Sequence, residues 1–124
     1  MRTAIIFLEK PATSEEMEVA TFLNQFLQII ARGDFEALRN LHSVEELSVR
    51  MPVTNKYIET LEKNWPKIRS IELRDVLIHI IDPTTTIVNF CRSTLLIDKL
   101  AKRAEDRTLH LKKINGKWYI VYRT

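Results

Sequence analysis

Arg107-Thr108-Leu109-His110-Leu111-Lys112-Lys113-Ile114-Asn115-Gly116-Lys117-Trp118-Tyr119-Ile120-Val121 is the most informative stretch of this chain. Two alternating runs flank Asn115-Gly116, and Asn-Gly between such runs is a strong hairpin signal, because both turn positions need positive φ. A two-residue turn predicts the register: Lys113 faces Trp118, Leu111 faces Ile120, and Leu109 faces Tyr122. Those six residues share the more apolar face. The other face carries Thr108, His110, Lys112, Ile114, Lys117, Tyr119, Val121 and Arg123, and is amphipathic.

Upstream lie two more long strand candidates, 68–82 and 86–98, joined by the turn-forming Asp82-Pro83-Thr84-Thr85. Their alternation is blurred by apolar residues on both sides, so which face turns inward stays open. Before them the period changes to that of helices. Thr13-Ser14-Glu15-Glu16 has the form of a capping box, followed by Val19, Phe22, Leu23, Phe26, Leu27 and Ile30 on one stripe. Gly33 is placed to end that helix, and Asp34 to cap a short second one with Phe35, Leu38 and Leu41. Ser43-Val44-Glu45-Glu46 is a second Ser-x-x-Glu box that opens one further turn. Thr54 or Asn55 begins a third helix carrying Tyr57, Ile58, Leu61 and Trp65, which Pro66 stops. Helices this apolar on one side need a sheet to cover. The expected fold class is α+β, with the N-terminal helices packed in the concave face of a curved antiparallel sheet.

The 124 residues, 45% hydrophobic and 28% charged, fit one ordinary domain, 1–124. Cys91 is alone, so no intrachain disulfide forms, which accords with a reducing compartment. Ala4-Ile5-Ile6-Phe7-Leu8 is too short for a signal-peptide core or a membrane span, and a cytoplasmic location is expected. The net charge of +3 hides an asymmetry: residues 92–124 hold nine Lys or Arg against three acids. Basic residues do not interleave with aromatic ones there, so a solvated sheet face is favoured over nucleic-acid binding.

Helices followed by long hairpins ending in Asn115-Gly116-Lys117-Trp118-Tyr119-Ile120-Val121 resemble the nuclear transport factor 2-like superfamily, with its SnoaL-like and ketosteroid-isomerase-like branches. Ala31-Arg32-Gly33-Asp34-Phe35-Glu36-Ala37-Leu38 is similar to the family's helix-break-helix, and Arg107–Val121 to its penultimate hairpin. The resemblance covers roughly 14–124. It implies a cone (cystatin-like) fold, a pocket between sheet and helices, and dimerisation through the outer sheet face. Residues 1–12 lie outside it, as an extra strand or a lid.

A pocket in such a cone is expected to be lined by Phe22, Phe26, Tyr57, Trp65, Leu109, Leu111, Trp118, Ile120 and Tyr122. The same residues could equally fill the space as core. On the first long strand Ile71, Leu73, Asp75, Leu77, His79 and Ile81 alternate onto one face. Asp75 and His79 would then stand about 13 Å apart, too far for a dyad, though either could act alone with Arg92 as electrostatic partner. The competing reading has them outward and solvated. His42 reads as a surface residue at a helix end, and Cys91 as an inert buried thiol. The family's isomerase base, an Asp before a proline, aligns with Met51 before Pro52, and methionine cannot abstract a proton. The dehydratase and epoxide-hydrolase sets find no match. Metal-ligand spacings, phosphate loops and nucleophile elbows are absent from the sequence, so no metal and no cofactor is expected.

The expectation is therefore a homodimer that binds an apolar small molecule in the pocket, without assured catalysis. His110, Ile114, Tyr119 and Val121 are the expected dimer face. The alternative is a protein-association module using that outer face, with SnoaL-like lyase, isomerase or hydrolase chemistry a minor third.

Overall fold

A computed structural model describes residues 1–42, 55–97 and 103–123. Strand β1 (Arg2–Phe7) precedes helix α1 (Ser14–Ala31) and helix α2 (Phe35–Asn40). Helix α3 (residues 55–64) runs into a 3-10 turn, Trp65–Lys67. Strands β2 (Ile68–Asp82), β3 (Thr85–Leu96), β4 (Arg103–Ile114) and β5 (Lys117–Arg123) complete one sheet of order β1-β2-β3-β4-β5. The three hairpin pairings are antiparallel, but β1 runs parallel to β2, with the described helices in the crossover between them. The sheet is thus mixed rather than purely antiparallel. The Ser43–Glu46 box and Met51 lie outside the described residues.

Local chemistry accounts for the helix ends. Thr13 Oγ1 accepts from the Glu16 amide while the Glu16 carboxylate accepts from the Thr13 amide, closing the capping box. At the other end Gly33, with φ +69°, lets its own amide reach the Ile30 carbonyl and the Asp34 amide reach the Ile29 carbonyl. A side chain there would also crowd a neighbour: a Cβ on Gly33 would lie 3.1 Å from Trp65 Cζ2. Asp34 Oδ1 then accepts from the Ala37 amide and starts α2.

One hydrophobic core joins helices and sheet. Val19, Leu23, Leu27, Leu38 and Ile58 on the helical side meet Leu73, Val76, Val88, Leu111 and Ile120 on the sheet side, all fully buried. Trp118 is buried against α1, where its Nε1 donates to Glu18 Oε1 at 3.0 Å. Lys113 also hydrogen-bonds Glu18 and holds that carboxyl below its usual range. The free edge of β5 is partly covered by the segment after α2, with the Ile120 amide donating to the Leu41 carbonyl and His42 bridging Ile120.

Two bulges change the faces expected from simple alternation. In β2 the pairing with β3 jumps between Arg74 and Leu77, and Asp75 takes φ 52°. Ile71 and Leu73 point to the core before the bulge, Val76 after it, so the inward parity switches from odd to even residues. Asp75, Leu77, His79 and Ile81 therefore do not continue the face of Ile71 and Leu73. In the last hairpin Lys113 pairs Trp118 and Leu111 pairs Ile120, but His110 then pairs Tyr122 and Leu109 pairs Arg123. Val121 is the extra residue. The expected Leu109–Tyr122 pair is replaced, and Tyr122 stacks edge-on against His110 at 5.0 Å between ring centroids.

Candidate functional site

The shift at Val121 brings Arg123 to the helix side of the sheet, beside Leu109, at the mouth of a cavity of about 600 Å³. This volume lies within the usual range for small-molecule sites. The floor and walls are apolar. Phe26, Leu27 and Ile30 come from the C-terminal half of α1, Leu61 from α3, and Ile68, Ile71, Leu73, Phe90, Leu96 and Leu109 from the strands. The polar lining is concentrated in Tyr57, Lys56, Arg92, Arg107, Arg123 and Glu105, four cations to one carboxylate, with Thr60, Asn64 and Thr94.

Strand alternation sets this cluster. Arg92 follows Val88 and Phe90 by twos along β3, and Glu105 and Arg107 precede Leu109 and Leu111 by twos along β4. Glu105 accepts from Arg92 Nη2 at 3.2 Å and also from Arg107 Nη2. Arg92 Nη1 donates to the Tyr57 hydroxyl at 3.3 Å. Arg123 lies over the Tyr57 ring with its Cζ 3.6 Å from the centroid, and Arg92 Cζ lies 5.8 Å from the same centroid. Burial alone would raise the Tyr57 pKa, but the charges and hydrogen bonds of Arg123 and Arg92 outweigh it and lower it.

Behind Arg123 stands His42, only 3% exposed and far from the surface position expected of it. Its Nδ1 lies 3.0 Å from the Leu38 carbonyl, an acceptor only, so Nδ1 carries the proton. Nε2 then offers a lone pair to Arg123 Nη2 at 2.7 Å. Burial, reinforced by the Arg123 charge, pushes the His42 pKa down to about 4, against the opposing pull of its backbone hydrogen bonds. Arg123 Nε is buried and has no hydrogen-bond partner among the described residues.

Of the nine expected pocket residues, Phe26, Tyr57 and Leu109 line this cavity. Phe22, Leu111, Trp118 and Ile120 belong instead to the close-packed core beside the N-terminal half of α1. Trp65 donates from Nε1 to the Ile30 carbonyl at 2.8 Å and packs on Gly33 and edge-on to Phe35. Tyr122 is carried to the outer face by the Val121 bulge. Among the three catalytic candidates, Arg92 lines the cavity, while Asp75 and His79 are exposed. His79 Nε2 lies 3.2 Å from Asn89 Nδ2, and Asn89 Oδ1 accepts from Thr108, away from the cavity. Cys91 is half-buried rather than enclosed. On the expected dimer face His110, Tyr119 and Val121 are half-buried and Ile114 is 37% exposed. Among the described residues no three His, Cys, Asp or Glu side chains cluster as metal ligands, and no helix is long and apolar enough to cross a membrane.

Glu105, Arg107, Lys56 and Arg123 are the charged lining residues that sequence reasoning missed. A signal existed for two of them: the inward face of Leu109, Leu111 and Lys113 extends by alternation to Arg107 and Glu105. Nothing comparable marked Arg123.

No protein-family model matches the chain, and no curated protein matches it. Solved structures do. One is the solution structure of a SEC-C motif containing protein from Rhodopseudomonas palustris, with a TM-score of 0.55 and 10% identity, covering 79% of this chain and 70% of that one. At that identity the likeness concerns the α+β fold alone.

Proposed function

We propose that this protein is a nuclear transport factor 2-like domain that binds an apolar small molecule between its helices and the inner face of a cone-shaped sheet. The observation that carries the reading is the cavity of about 600 Å³ with walls drawn from α1, α3 and three strands. A space of that size beside an otherwise close-packed core forfeits dispersion contacts unless something fills it. Catalysis is not part of the proposal, because Asp75 and His79 lie outside the cavity. The domain acts as a homodimer through the outer face of β4 and β5, where Ile114, Tyr119, Val121 and the His110–Tyr122 pair meet a second copy. The same reading assigns it to the cytoplasm, in keeping with its single cysteine.

The test is native mass spectrometry of protein purified without denaturation, together with thermal unfolding against a panel of hydrophobic metabolites. A ligand at a hundredfold excess over its Kd should stabilise the fold by about 2.7 kcal/mol, enough to raise Tm by several degrees. A protein that carries no adduct and gains nothing from any compound contradicts the reading.

A further inference from the structure

We infer that the ligand is amphipathic, with an anionic head (carboxylate or phosphate) held at Arg123 and Arg92 and an apolar body in the cavity behind them. This rests on the cavity being a ligand site and adds the chemistry of what enters it.

Glu105 receives both Arg92 and Arg107. Among the described residues Arg123 has no carboxylate partner: its hydrogen-bond partner there is His42 Nε2, whose lone pair carries no charge, and its Nε is buried without a hydrogen bond. A half-buried guanidinium with no counter-charge among the described residues is costly, and a ligand oxyanion would relieve that cost with charge-assisted hydrogen bonds.

The Tyr57 ring holds Arg123 on its face, and the Tyr57 hydroxyl accepts from Arg92. Two planar guanidinium groups are therefore fixed by one phenol before any ligand arrives, so little side-chain entropy remains to be lost on binding. The hydroxyl keeps its own proton available for donation, since it already accepts from Arg92. Beyond this cluster the lining turns to Phe26, Leu27, Phe90 and Leu109, which offer hydrocarbon and nothing for a second charge.

The experiment uses the full chain, stripped of copurifying lipid and titrated calorimetrically with decanoate, decyl phosphate, decanol and decyltrimethylammonium. Decanoate or decyl phosphate is expected to bind at least about tenfold tighter than decanol, with the cation weakest. The stronger of the two anions identifies the head group. Arg123→Gln should bring that anion to within about threefold of decanol. Arg92→Gln should lower the same ratio and serves if Arg123→Gln does not fold. Equal affinity of the wild-type protein for the anions and decanol overturns this inference but leaves the cavity-ligand reading standing. Failure of all four probes overturns both. An anion preference undiminished in both variants also overturns the assignment.

Discussion

His42 shows how one side chain connects the core to the site. It is a neutral imidazole wedged between the Leu38 carbonyl and the Arg123 guanidinium, with its pKa pushed down to about 4 by burial and by that neighbouring charge. In the unfolded chain it titrates near the ordinary value of 6.5. Between these values the unfolded state binds the extra proton, so stability is whole above pH 6.5, falls as pH drops, and levels off below about 4. The loss should be on the order of 3 kcal/mol. Urea unfolding of the wild-type protein and of His42→Gln across this range checks it: the variant should lose most of the slope, and an equal slope in both would refute the role given to His42. A local cost of this kind leaves no trace in a sequence. His42 stands beside the last turn of a short helix, and the return of β5 past Leu41 helps to close it in.

At the scale of elements, the helices were legible to within a residue or two, because capping chemistry is local. Thr13, Glu16, Gly33 and Asp34 announce their roles through neighbours at most four positions away. The strands were legible as strands and less so as faces. Asp75 and Val121 each insert one residue, and each insertion turns over every side chain beyond it. Within Val76–Ile81 both parities are almost wholly apolar, so nothing in the pattern marks the switch. Simple alternation therefore groups Asp75 and His79 with Leu73 and puts Tyr122 where Arg123 stands. The Asp75 bulge makes a prediction of its own. Its φ of 52° is tolerable for aspartate and poor for a β-branched residue, so Asp75→Val should cost about 1–2 kcal/mol. Asp75→Gly should stay close to wild type, since relief of strain offsets the added chain entropy. Denaturant midpoints of the two variants check this, and a valine variant as stable as wild type would deny the bulge.

Across the whole molecule, the filled and the empty ends of one interior divide the work. Trp118 and Lys113 meet Glu18 in the N-terminal half of α1, while the C-terminal half and α3 line the cavity together with the strands. The sheet's two faces divide similarly, the inner one given to core and cavity and the outer one to the proposed second copy. Val121→Glu should convert a dimer to a monomer on a sizing column with its circular dichroism unchanged, and an unaltered elution volume would count against that face.

Where a ligand sits is the question underlying these readings. Two-dimensional amide NMR of the free protein titrated with decanoate addresses it residue by residue. Shifts concentrated at Phe26, Tyr57, Leu109 and Arg123, with Lys112, Ile114 and Tyr119 unmoved, are the expected result. Shifts confined to those outer-face residues, or none anywhere, would contradict the account.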